Sequence, residues 1–139
     1  MNRFYPIILL IAVFTLSACQ ASNLQSLLKT EQVITQEPSW TVDGNTYTTT
    51  VEYDVPEGTE SNSFSLVIKD GIISSIEVGI TTTNKASLKY QQDFAKNIAS
   101  IIVGQKISEL KSIDRVSGAS VTTTAFNDAL LKLQQQLQS

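Results

Sequence analysis

The sequence predicts an α+β domain: an antiparallel β-sheet of about four strands with two main helices packed on it. Three observations point there. Apolar residues alternate with period two through the first half of the domain. Asp70-Gly71 joins two such runs, the strongest short-range signal of a hairpin. In the second half the apolar spacing changes to steps of three and four, the period of a helix packed on one face. Strands first and helices after place the helices together on one side of the sheet rather than between parallel strands.

The strands follow in order. Trp40-Thr41-Val42 precedes Asp43-Gly44, which marks a first turn. Tyr47, Val51, Tyr53 and Val55 then alternate with Thr46, Thr48, Thr50, Glu52 and Asp54, giving one apolar face. Pro56-Glu57-Gly58 closes that strand. Phe64, Leu66 and Ile68 form the next run, and Ile72, Ile76, Val78 and Ile80 are the apolar positions expected after the Asp70-Gly71 turn.

Tyr90, Phe94, Ile98 and Ile101/Ile102 fall on one helical face. Asn84 or Ser87 is positioned to cap this helix, and Gly104 to end it as the C′ residue after Val103. A short turn is expected around Ile107 to Leu110. The last helix is expected to bury Phe126, Leu130, Leu133 and Leu137, with Gln134 to Gln136 and Gln138 largely off the seam. No internal repeat is present.

Ahead of the domain, residues 1–18 read as a lipoprotein signal peptide. Arg3 supplies a positive start and Ile7 to Leu16 an apolar stretch, short of the roughly 20 residues a spanning helix needs. Leu16-Ser17-Ala18-Cys19 resembles the bacterial lipobox, in which the cysteine becomes the lipidated N-terminus. This implies an extracytoplasmic protein held to membrane lipid through Cys19. Residues 19–38 read as a polar tether rich in Gln, Ser and Thr, punctuated by Pro38. Residues 39–139 form the expected domain, long enough to bury about 65% of its unfolded surface.

Composition narrows the chemistry. The chain has 139 residues, one cysteine and no histidine. That excludes Ser-His-Asp and Cys-His catalysis, an internal disulfide and a zinc or copper site built on several His or Cys ligands. A formal charge of −3 without a basic cluster argues against nucleic acid as a partner.

One segment is dense in hydroxyls and small residues: Asp114-Arg115-Val116-Ser117-Gly118-Ala119-Ser120-Val121-Thr122-Thr123-Thr124-Ala125-Phe126. On chemistry alone two readings stand. Ser, Gly and Thr ahead of a helix are ordinary capping residues. Alternatively, a helix starting here attracts a phosphate. With Thr122 as N-cap, Val121 and Phe126 would make a hydrophobic staple. The free N–H groups of Thr123 and Thr124 would then face the preceding loop, and Gly118 and Ala119 would let a bulky ligand come close.

Asp-x-x-Ser-Gly-Ala-Ser-x-Thr-Thr resembles the flavinylation motif of FMN-binding domains, a family that includes the C subunit of the sodium-pumping NADH:quinone reductase, the Rnf G subunit and small secreted flavin lipoproteins. Asp114, Ser117, Gly118 and Ala119 match directly, and Thr122 and Thr123 match the trailing hydroxyls. Ser120 stands where the family has threonine. Tyr53 to Gly58, Lys69 to Ile73, Tyr90 to Phe94 and Gly104 to Ile107 are similar to other stretches of the small members, so the likeness covers about Asn45 to Leu133. The Glu-Thr-Pro-Gly loop of the larger respiratory subunits is absent.

The resemblance implies FMN as cofactor, joined by its phosphate to the Ser120 hydroxyl by a separate flavin transferase. It also implies an electron carrier rather than a substrate-converting enzyme, with a redox partner that the sequence does not identify. Ser117 and Thr123 would donate to phosphate oxygens. Asp114 would serve turn geometry or recognition by the transferase. Tyr90, Tyr53 and Trp40 are the aromatic candidates for stacking on the flavin. Two alternatives remain: a non-redox accessory or binding lipoprotein with Ser120 unmodified, and a noncovalent FMN binder.

Overall fold

The computed structural model describes residues 34–139. The expected signal segment, Cys19 and most of the expected tether lie outside the described residues. The fold is the expected α+β arrangement, a four-stranded antiparallel sheet in the order β1-β2-β3-β4 with two helices on one face. The strands are β1 (Thr41–Asp43), β2 (Thr46–Val55), β3 (Gly58–Lys69) and β4 (Ile72–Ile80); the helices are α1 (Lys85–Ile102) and α2 (Ser120–Gln138).

Alternation sets the sheet's two faces. Thr49, Val51 and Tyr53 of β2 and Asn62, Phe64, Leu66 and Ile68 of β3 are buried beneath the helices. Thr48, Thr50, Glu52 and Asp54 point to the other face and are exposed. Three two-residue turns link the strands, shown by the facing pairs Asp43–Thr46, Val55–Gly58 and Lys69–Ile72. At the last turn both Asp70 (φ 51°) and Gly71 (φ 75°) are left-handed, the pattern whose twist matches the flanking strands.

The β4 face differs from expectation at its start. Ile73 is fully buried and Ile72 is 41% exposed. Ile73 faces Ile68 while Ser75 faces Val67, so Ser74 is an extra residue opposite the Val67/Ile68 step. This bulge inverts the alternation, and counting back by twos from Ile76 selects the wrong isoleucine.

Helix α1 starts at Asn84, whose side-chain oxygen accepts from Ala86 N (2.9 Å) and Ser87 N (3.2 Å). Its seam is Gln91, Phe94, Ile98 and Ile102. Tyr90, expected on that seam, is instead 49% exposed. Gly104, left-handed at φ 87°, ends the helix as expected, and its N–H donates to Ile73 O at 2.8 Å. Helix α2 buries Phe126, Leu130 and Leu133, but Leu137 lies in its last turn and is exposed.

The end of the expected tether is packed against the domain. Ile34 bridges to Tyr53, Thr35 N donates to Glu52 O at 3.0 Å, and Pro38 is buried. Trp40 follows into the core, its indole N–H donating to Ala129 O of α2 at 2.8 Å. This stretch covers the side of β2 that the three-residue β1 leaves unpaired.

The inverted alternation has a measurable consequence. Ile73→Ala is expected to destabilise the domain by about 2–5 kcal/mol, whereas Ile72→Ala should stay within about 0.5 kcal/mol. Urea unfolding of both variants checks the contrast.

Candidate functional site

Residues 103–119 lead from the end of α1 to the start of α2, and α2 itself fixes their course. The Asn127 side chain accepts from Ile113 N at 3.0 Å and donates to Ile113 O at 2.7 Å. Four residues earlier, the Thr123 hydroxyl donates to Ala119 O at 2.6 Å and accepts from Val116 N at 3.1 Å. Thr123 is fully buried, as is nearly all of Val116. Between Val116 and Ala119, the two residues that Thr123 holds, the chain makes a tight turn. Ser117 (φ 49°) and Gly118 (φ 80°) are both left-handed, and Ala119 N closes the turn on Val116 O at 2.9 Å.

Ser120 comes directly after this turn and is the first residue of α2. The sequence placed the cap at Thr122; the structure places it at Ala119, with no side-chain hydrogen bond to the helix start. The expected staple is lost with it, since Val121 and Phe126 now both lie inside the helix. Thr123 N is not free either, because it donates to Ala119 O at 2.9 Å. The Thr123 hydroxyl is occupied by the turn and does not face a ligand. Ser117, Gly118, Ser120 and Asp114 are exposed.

Ser120 lies on the wall of a cleft of about 310 Å³. The cleft runs between the first turns of α1 (Ala86, Ser87, Tyr90, Gln91), the first turn of α2 (Ser120, Val121, Thr122) with Gly118 and Ala119, and the β2–β3 end of the sheet (Tyr53, Val55, Pro56, Glu57, Glu60). Of the motif residues, Ser120, Gly118, Ala119 and Thr122 therefore share one surface. Ser117, Thr123 and Asp114 are not part of it. Tyr90 is at the cleft as an exposed ring, whereas Trp40 is in the core and away from it.

The sequence reading missed a polar cluster among the cleft-lining and core side chains. The Tyr53 hydroxyl donates to Asn62 Oδ1 (2.5 Å) and accepts from Gln91 Nε2 (2.9 Å). Asn62 Nδ2 donates to Gln91 Oε1 at 3.0 Å and to Gly79 O at 2.9 Å. Thr122 Oγ1 lies 3.4 Å from the Tyr53 hydroxyl. Gln91 Nε2 also reaches Glu60 Oε2 at 3.1 Å, and Thr82 Oγ1 donates to Glu60 Oε1 at 2.9 Å. Tyr53, Asn62, Gln91 and Thr122 are all buried, yet no buried side-chain polar atom among the described residues lacks a partner. The signal was present: Asn62 occupies an inward position of the β3 alternation, and Gln91 stands one step before Phe94 on the α1 seam.

Burial pushes the Tyr53 hydroxyl above its ordinary pKa; hydrogen bonds with Thr122 and Gln91 oppose this, and the Glu60 charge adds to it.

The residues present fit an FMN phosphoester. Ser120 is an exposed hydroxyl at a helix start without a side-chain cap, and that helix start favours a phosphate's negative charge. The space where a Gly118 side chain would stand holds no atom within 4 Å. Val55, Pro56, Ala86 and Tyr90 offer apolar surface for a ring. Among the described residues no group of three or more His, Cys, Asp or Glu side chains could hold a metal ion, and no helix is long and apolar enough to cross a membrane. Comparison of the chain with protein-family models, with curated proteins and with solved structures gives no match.

Two outcomes check this geometry. Thr123→Val removes both roles of the hydroxyl and leaves Val116 N–H buried without a partner, so a loss of about 1–3 kcal/mol is expected in urea unfolding. The raised Tyr53 pKa means that the folded state holds this proton more tightly than the unfolded chain. Its contribution is intact below about pH 10 and is lost as pH rises through the folded value. Unfolding midpoints measured from pH 9 upward, on an approximate scale set by that ordinary tyrosine value, should fall more steeply in the wild type than in Tyr53→Phe.

Proposed function

We propose that this chain is a membrane-anchored, extracytoplasmic flavoprotein that carries FMN on Ser120 and passes electrons between partners. The observation that carries the reading is the position of Ser120. Its hydroxyl stands at the start of α2, directly after a rigid turn, and opens onto a cleft with apolar surface and an exposed tyrosine ring. Bound FMN would supply the electron chemistry, which a chain without histidine or a cysteine pair does not offer by itself.

The protein's own residues would hold and orient. The Ser120 oxygen would bear the phosphate as an ester. The start of α2 would stabilise the remaining phosphate charge by about 0.3–1 kcal/mol where exposed. The exposed Ser117 hydroxyl is free to donate to a phosphate oxygen. Gly118 keeps the approach open, and its left-handed backbone sets the direction in which the chain enters α2. Tyr90 is the side chain placed to lie against a ring in the cleft. Asp114, exposed and with no side-chain hydrogen bond among the described residues, is assigned to recognition by the flavin transferase that would build the ester.

The chain has no histidine to activate Ser120 for self-attachment, and neither Lys106 nor Lys111 lines the cleft. An outside enzyme is therefore part of the proposal, as is lipid attachment at Cys19. Co-expression with a flavin transferase followed by intact mass provides the test. One FMN-phosphoryl adduct is expected, lost in Ser120→Ala and kept in Ser120→Thr. An unmodified mass would reject covalent attachment. Yellow colour that leaves on denaturation would then identify a noncovalent FMN binder, and a colourless protein a binding or accessory role.

A further inference from the structure

We propose, building on the flavin reading, that Glu60 sets the reduction equilibrium of the ring in the cleft by acting as a fixed, unneutralised negative charge. Four observations support it. Glu60 lines the cleft, and no lysine or arginine lines it with it. Both carboxylate oxygens are held, Oε2 by Gln91 Nε2 (3.1 Å) and Oε1 by Thr82 Oγ1 (2.9 Å). Both holding groups are neutral, and none of the ion pairs among the described residues involves Glu60. Gln91 is itself fixed by Asn62 and Tyr53 at 3.0 and 2.9 Å, so the place of the carboxylate is inherited from the core.

Lys89 sits over the Tyr90 ring, 5.7 Å from its centroid, but its ammonium is bound to Asp93 at 2.7 Å. Glu57 also lines the cleft, but it stands exposed on the β2–β3 turn with no side-chain hydrogen bond among the described residues. Water and salt screen a charge that moves in solvent more strongly than one held against protein.

Two-electron reduction of a ring bound here would, at neutral pH, bring one proton with it and leave the ring with one added negative charge. A carboxylate held in the same cleft would disfavour that added charge. Glu60 would thus lower the midpoint potential, and removing its charge would raise it.

The experiment uses the full chain carrying FMN after co-expression with a flavin transferase, confirmed by mass and titrated with dithionite against a reference dye. Glu60→Gln should raise the equilibrium constant for reduction at least threefold, about 14 mV for a two-electron couple. The shift should persist in high salt, whereas any shift in Glu57→Gln should be smaller and vanish there. An unchanged potential in Glu60→Gln, or equal shifts in the two variants at both salt levels, overturns the proposal. Thermal unfolding of the unloaded variants separates this from loss of fold. Should Glu60→Gln not fold, Thr82→Val keeps the charge but removes one of its holds; its potential must become salt-dependent, and unaltered salt dependence overturns the proposal. A mass without FMN rejects the flavin reading itself, and this inference with it, which is a different result from a loaded protein whose potential does not move.

Discussion

Three phenylalanine rings, one from the sheet and one from each helix, hold the two layers together. Phe64 of β3 lies 6.0 Å from Phe94 of α1 and 5.1 Å from Phe126 of α2, and the two helical rings lie 5.7 Å apart, all between ring centroids. The first two contacts are edge-on and the third is tilted, arrangements in which ring edges meet ring faces. All three rings are fully buried. Burying each contributes about 1.5–3 kcal/mol, with about 0.5–1.5 kcal/mol more for each aromatic pair. Because each ring touches the other two, neither helix can shift on the sheet without disturbing both contacts.

The helices held in this way border the cleft with their first turns. Both helices begin beside it and end at the other side of the domain, where Gln134 of α2 donates to Ile107 O (2.7 Å) and Leu110 O (2.8 Å) of the chain that follows α1. Residues 103–119 must therefore return along the domain before α2 can start. The two helix starts differ in one respect. Asn84 closes that of α1 with its own side chain, while that of α2 has Ala119 at the cap and no such bond. The positive end of α2 is thus left for something other than its own side chains.

The sheet was legible because its signals are local. Alternation in β2 and β3 and the Asp70-Gly71 pair need no knowledge of the rest of the chain. Legibility failed where a tertiary contact outweighed a local pattern. Ser74 is inserted in β4 and inverts the alternation before it. Gln91 takes a seam position that Tyr90 was expected to hold, because Tyr53 and Asn62 supply partners for its amide. The start of α2 was set three residues too late because Thr122 has the side chain of a good cap. Its hydroxyl lies instead 3.4 Å from the Tyr53 hydroxyl, a contact that joins residues far apart in the sequence. Among the residues singled out for chemistry, Ser120, Gly118 and Ala119 were found by motif likeness, while Glu60 and Gln91 carried no motif at all.

The hydroxyls of the α2 start show why one of them is suited to chemistry and its neighbours are not. Thr123 fastens the turn, Thr122 joins the polar cluster, and Thr124 donates back to Ser120 O at 3.1 Å. Each has a partner inside the fold, and using it for a ligand would undo that contact. Ser120 makes no side-chain hydrogen bond among the described residues and is exposed. Its backbone is nonetheless held closely, since Ala119 before it is fixed by Val116 and Thr123. A nucleophile or ester site benefits from that combination: a free side chain on a fixed backbone loses little conformational entropy when the bond forms, and presents its oxygen in one place. Serine in place of threonine keeps the oxygen and removes the methyl that narrows the rotamer choice. Here the rigidity comes from Thr123 and the turn rather than from Ser120 itself, so the geometry at this position does not depend on that methyl.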